Sequence, residues 1–157
     1  MTKKTDATST RRQWLSSAVG AGTWIVLSDT ALAANDELAA AVSQYTGGQV
    51  VLKGRVKLDI AELVDNGNVV PITVTVDSPM SADNHVKSVA VFNEKNPQRD
   101  VVKFTFSPTS GKAVATTRIR LANSQKLIAV AQLSDGSFWS HTVDVIVTLA
   151  ACIEGAA

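Results

Sequence analysis

Thiol chemistry is nearly missing from this chain: among 157 residues, Cys152 is the one cysteine. A disulfide framework within a single chain is therefore excluded. Aromatic residues are scarce at 5%. Charge of one sign is also missing, since the formal net charge is +1. That excludes a basic surface large enough for nucleic acid. Familiar enzyme patterns are absent too: there is no G-x-S-x-G elbow, P-loop, G-x-G-x-x-G turn or metal-spaced cysteine pair. Carboxylates are scattered singly, so no acid/base pair stands out. No internal repeat or low-complexity segment is visible. What remains is 45% hydrophobic and 18% charged residues, near the globular norm. Disorder and collagen-like character are excluded, and the length suits one domain.

The amino-terminal residues read as an address. Lys3, Lys4, Arg11 and Arg12 precede an apolar run from Leu15 to Leu27. That run is too short, and too rich in Ser and Gly, to span a bilayer. Ala31-Leu32-Ala33 follows as a small-residue cleavage pattern. Basic, apolar, then small is the order of a signal peptide. Ser9-Thr10-Arg11-Arg12-Gln13-Trp14-Leu15 adds a twin-arginine core, the mark of export in the folded state. Residues 1–33 are thus expected to be a leader. Cleavage after Ala33 leaves 124 residues with 11 Lys+Arg and 12 Asp+Glu, a net charge of −1. The expected destination is the periplasm, an oxidising compartment where an unused thiol is a liability.

The spacing of Leu38, Ala41, Val42 and Tyr45 predicts a helix starting at Asp36-Glu37 and ending at Gly47-Gly48. The period then changes to two. Alternating runs occur at Val56–Ile60, Val70–Asp77, Val89–Val91, Val102–Phe106, Ala113–Leu121, Leu127–Leu133 and Phe138–Leu149. Turn signals such as Asn66-Gly67, Ser78-Pro79, Asn96-Pro97, Ser110-Gly111 and Asp135-Gly136 separate them. About seven short strands predict an all-β, antiparallel sandwich with a short amino-terminal helix, over residues 34–149.

Few side chains suggest chemistry. His85, His141, Cys152 and Met80 match the inventory of a blue-copper site. In such sites a His and an axial ligand follow the Cys closely, and here only Glu154 does. Copper is not expected, and both histidines read as surface or strand-end residues. Ser137 in Asp135-Gly136-Ser137 reads as part of a hairpin turn, not a nucleophile. Trp139 reads as a core or interface residue rather than a stacking platform. Arg118 and Arg120 share one polar face, either solvated or contacting an anion or partner. No catalytic residue, metal or cofactor is assigned.

Cys152 is different because of its position. Val143, Val145, Val147 and Leu149 alternate cleanly, then the pattern dissolves into Ala150-Ala151-Cys152-Ile153-Glu154-Gly155-Ala156-Ala157. Small residues at a chain end build no packed core, and chain ends move unless tied down. Residues 150–157 are expected to form a flexible arm that projects the thiol. An exposed thiol that moves an adduct between partners is a swinging-arm carrier.

At this point the chain resembles SoxY, the sulfur-carrier subunit of periplasmic thiosulfate oxidation. The resemblance rests on Asn66-Gly67 with Val70-Pro71, Asp77-Ser78-Pro79-Met80, Phe92-Asn93 with Asn96-Pro97, Thr117–Ala122, Leu133-Ser134-Asp135-Gly136, and the strand into the terminal cysteine. It implies an immunoglobulin-like sandwich paired with a SoxZ subunit and exported as a folded heterodimer. It implies no enzyme activity and no cofactor. Instead, sulfur intermediates are carried covalently on Cys152, starting as a Cys-S-thiosulfonate. SoxAX would make that bond, SoxB would hydrolyse off sulfate, and other Sox components would act on the rest. The family usually ends in Gly-Gly-Cys-Gly-Gly. Here Ala150 and Ala151 stiffen the tether, and Ile153-Glu154 add bulk and a negative charge that disfavours the thiolate. The alternative function is a SoxY-like sandwich that binds its partner without loading sulfur.

Overall fold

The computed structural model describes residues 29–151. The leader's basic and apolar segments, and Cys152 with the residues after it, lie outside the described residues. One helix comes first, α1 (Asp29–Thr46). Nine strands follow among the described residues: β1 (Val51–Lys53), β2 (Val56–Asp59), β3 (Leu63–Asn66), β4 (Val70–Val76), β5 (Val86–Asn93), β6 (Asp100–Thr105), β7 (Ala113–Ile119), β8 (Gln125–Leu133) and β9 (Phe138–Leu149). The larger sheet has the order β1-β9-β8-β5-β6, with β3 also on β9. The smaller sheet is β2-β4-β7. The two pack face to face as a sandwich.

Alternation explains the smaller sheet. Val70, Ile72, Val74 and Val76 of β4 are buried, while Pro71 and Thr75 between them are exposed. Each fully buried Val or Leu side chain contributes about 1.5–3 kcal/mol. The inner faces of both sheets form one core, with Ile72, Val91, Leu121, Leu127, Leu133 and Val145 among its members. Strand β5 is buried on both faces, because α1 covers the outside of the larger sheet. There Leu38 packs with Ala90, Phe92, Val130 and Phe138. Tyr45 completes this layer, with its ring 5.6 Å from Phe92 and 5.9 Å from Phe138. Its hydroxyl shares a 2.7 Å hydrogen bond with Ser88. Burial holds its ionisation above the ordinary 10.0, against the lowering effect of Ser88.

The helix ends as the glycines predict. Gly47 and Gly48 have positive φ, and Gly48 N–H donates to Ser43 O at 2.9 Å. This closes the helix through a bond from the second residue beyond it. Its start differs from the expectation at Asp36: α1 begins at Asp29, so the expected cleavage point after Ala33 falls within it. Two strands, β1 and β3, were not predicted. Both run parallel to β9, whereas every other pairing is antiparallel. Val51-Leu52-Lys53 and Leu63-Val64-Asp65-Asn66 set apolar residues side by side, so neither shows a period of two.

Strand directions give the sandwich two ends. The turns β4–β5, β6–β7 and β8–β9 lie at one, called here the hairpin pole. The turns β3–β4, β5–β6 and β7–β8 lie at the other, where β9 ends and the chain leaves. This is the exit pole.

Candidate functional site

The chain leaves the sandwich through a ladder of backbone bonds. Gly67 N–H donates to Leu149 O at 2.8 Å, and Gly67 O accepts from Leu121 N–H at 2.8 Å. Ala151 N–H then donates to Leu121 O at 3.0 Å. Leu121 is fully buried and Ala151 is 6% exposed. The expected free arm, residues 150–157, therefore has a fixed point inside it. Ala151 does pack here, beside Gly67 and Leu121. Gly67 is required by the same crowding. A Cβ there would lie 2.3 Å from Leu121 O and 3.0 Å from Ala151 N. Cys152 is the residue after this tie.

Side-chain amides brace the same pole. Asn96 Nδ2 donates to Arg120 O at 2.8 Å. Its Oδ1 accepts from Ala122 N–H at 3.0 Å and from Gln125 Nε2 at 2.8 Å. Asn93, fully buried, accepts from Asn96 N–H at 3.0 Å and donates to Gln98 O at 2.8 Å. Backbone polar groups that the turns leave unpaired are satisfied this way. The segment 120–122 is thus held by Asn96 on one side and by Gly67 and Ala151 on the other. Beside it lies a shallow groove of about 350 Å³, lined by Asn93, Asn96, Gln98, Asp100 and Arg120 among others.

The other singled-out residues do not join this site. Met80 is buried at the hairpin pole, and its sulfur accepts from Val86 N–H at 3.5 Å. His85 precedes β5, and its Nδ1 is buried without a hydrogen-bond partner. His141 is not at a strand end. It sits half-buried within β9, where its Nδ1 accepts from Leu58 N–H at 3.1 Å and ties the two sheets together. Among the described residues no three of His, Cys, Asp and Glu cluster to hold a metal.

Ser137 is occupied in the hairpin. Its hydroxyl donates to Asp135 Oδ1 at 2.6 Å and accepts from Trp139 Nε1 at 3.0 Å. That bond, with Ser137 N–H, holds the Asp135 carboxyl below its ordinary value. Trp139 packs against the core, and Arg55 lies 5.3 Å over its ring. Arg118 and Arg120 are both exposed, on the shared face that the alternation predicts.

The motifs of the resemblance divide between the poles. Asn66-Gly67, Phe92-Asn93, Asn96-Pro97 and the end of Thr117–Ala122 lie at the exit pole. Asp77–Met80 and Leu133–Gly136 build the opposite end. The sequence missed the anchoring of Ala151 and the steric role of Gly67. Asn66-Gly67 was a signal, but of a turn rather than of close packing.

Comparison with known proteins agrees with this architecture. The family described as sulfur oxidation protein SoxY matches residues 42–152. The sulfur carrier protein SoxY from Chlorobium limicola f thiosulfatophilum is similar in structure, with a TM-score of 0.62 at 23% identity, covering 73% of this chain and 99% of that one. A superoxide reductase (neelaredoxin) from Ignicoccus hospitalis reaches a TM-score of 0.54 at 18% identity, covering 60% and 80% of the two chains. That likeness is one of fold. No curated protein matches in sequence. The family match spans α1 from Val42, both sheets and the exit pole, and it ends on Cys152: the chain belongs to the SoxY family of sulfur oxidation proteins.

Proposed function

We propose that this protein is a covalent sulfur carrier of thiosulfate oxidation in the periplasm, with Cys152 as the attachment point. One observation carries the reading: the family match runs through Cys152, the residue directly after the tie at Ala151. The thiolate is the nucleophile, and the rest of the chain presents it. Chemistry on the load belongs to partner proteins.

Export by the twin-arginine route belongs to the same reading, since Arg11-Arg12 and Ala31-Leu32-Ala33 stand in the required order. A SoxZ-like subunit is the expected stable partner, with SoxAX and SoxB as transient ones. Leu63 and Ile146 are Cα partners across β3 and β9, and each is 62% exposed. Leu149 and Val69 are exposed towards the same pole. The exposed Leu63–Ile146 pair suits a subunit contact.

The test is intact-mass measurement of the protein from cells oxidising thiosulfate. Wild type is expected to carry sulfur adducts that a reductant removes. Cys152→Ser is expected to fold normally, pair with the SoxZ-like subunit and carry none. A wild type that pairs but never carries sulfur would establish the partner-binding sandwich instead.

A further inference from the structure

An edge strand exposes a row of unpaired backbone groups, and proteins blunt such edges with short strands, mixed charge or bulges. Among the described residues, most edges of this sandwich are blunted. Strands β1 and β3 are three and four residues long. Strand β2 carries both signs of charge, Lys57 and Asp59, which pair at 3.7 Å. Strand β6 carries Asp100 and Lys103, and its register with β5 shifts between Val102 and Asp100. Strand β7 has none of these devices. It runs for seven residues, Ala113–Ile119, in unbroken register with β4 from Val76 to Val70. Its far side pairs with no strand.

The charge along this edge has one sign. Between Asp100 and Asp135 the chain carries five Lys or Arg and no acid. Lys112 stands just before β7, Arg118 lies within it and Arg120 follows it. Lys112, Val114, Thr116 and Arg118 are exposed on the outer face, while Ala113 and Ile119 are buried. Two ion pairs occur among the described residues, Lys57–Asp59 and Arg99–Glu37, and neither uses Lys112 or Arg118. Asp77 lines a groove with Lys112, and its carboxylate weakens the pull of that cation without cancelling the row. A second copy of β7, paired antiparallel in full overlap, would set Lys112 opposite Arg118 or Arg120. Like charges directly opposite are destabilising. The edge thus repels itself and favours a strand of the other sign.

We propose that the free edge of β7 takes up an extended segment of a partner protein as a fourth strand of the smaller sheet, and that this segment bears acidic residues on its outward face. Main-chain bonds supply the attachment in such pairing, and alternate side chains supply the selection. Lys112 and Arg118 lie six residues apart, so matching acids have that spacing. The inward residues of the segment are apolar, because they cover the half-buried Ala115 and Thr117. The exposed Leu63–Ile146 pair belongs to β3 and β9 of the larger sheet. A subunit held there leaves β7 open for a second protein.

The test uses the full protein and two short synthetic peptides, one alternating valine with glutamate and the other valine with lysine. Amide exchange at residues 113–119 is followed by NMR while each peptide is added. The glutamate peptide is expected to slow exchange at the β7 amides that face away from β4, and to leave β6 unchanged. The lysine peptide is expected to bind more weakly, by up to roughly fivefold for each exposed charge contact at low salt, a gap that shrinks at high salt. Lys112→Glu combined with Arg118→Glu alters exposed positions and is expected to swap the preference of the two peptides. Unchanged β7 exchange with either peptide would overturn the proposal. So would side-chain shifts at Lys112 and Arg118 without slowed amides, which mean a loose ion contact and no added strand. Slowing that grows with protein concentration, with no peptide present, would assign the edge to a second copy and overturn it equally.

Discussion

The two ends of the sandwich are built by different means. At the hairpin pole most side-chain bonds are local: Ser137 to Asp135, Asn84 to Ser81, and Ser107 to Ser110 all join residues two or three apart. Ser134 is the exception, joining Asp83 and His85 across the turn. At the exit pole, beside local bonds such as Asn68 to Asn66 and Asn96 to Asn93, several bonds join distant segments. Asn96 reaches Arg120, Ala122 and Gln125, while Gly67 reaches both Leu121 and Leu149. Local turns close a hairpin wherever it occurs. Long-range ties fix four chain segments against one another where the chain leaves the sandwich. Under the proposed function, the exit pole is the working end.

Glycine substitution tests this most severely. Gly67→Ala places a Cβ against backbone on both sides, and overpacking of that kind costs up to about 3 kcal/mol. Gly136→Ala meets nothing within 4 Å, though its φ of +86° carries strain. Its expected cost is about 1 kcal/mol. Denaturant midpoints of the two variants compare the poles directly. Equal losses would mean that the crossing at Gly67 is not tight.

Amide and hydroxyl removal comes next. Asn96→Ala leaves the Arg120 carbonyl, the Ala122 N–H and the Gln125 amide without this partner, and the expected loss is about 2 kcal/mol. Ser134→Ala removes a smaller set at the other pole, with an expected loss of about 1 kcal/mol. Hydrogen exchange at Ala122 and Ala151 is expected to speed up in Asn96→Ala and to stay unchanged in Ser134→Ala.

The smallest effect is electrostatic. Asp135 has its carboxyl lowered by Ser137, so the folded state binds the proton less readily than the unfolded chain. That contribution is present at neutral pH, above the ordinary value of 3.8, and is lost as pH falls through the lowered one. Ser137→Ala is expected to move Asp135 back towards 3.8, read by carbon-detected titration. No change would mean that the hairpin bond is not made in solution.

Much of this fold was legible because the main strands alternate. Val70 to Val76 and Val143 to Leu149 announce an inward face, and Gly47-Gly48 stops the helix where expected. Strands β1 and β3 were hidden because their apolar residues stand side by side and do not alternate. They form only because β9 offers an open edge. At the site, composition pointed to Cys152 as the distinctive residue, whereas the anchoring of Ala151 did not show. Alanine beside a cysteine reads as slack until Leu121 O and Gly67 are seen to converge on it. Arg120 was visible as a cation on a polar face.

The central claim is that the exit pole presents an accessible thiol on Cys152. The most direct measurement is the rate at which a maleimide modifies the native protein, set against the same chain in denaturant. With one cysteine in the chain, every event reports on that residue. The account predicts a native rate close to the unfolded one after correction for thiolate fraction. A native thiol that resists the reagent, and reacts only on unfolding, would contradict it.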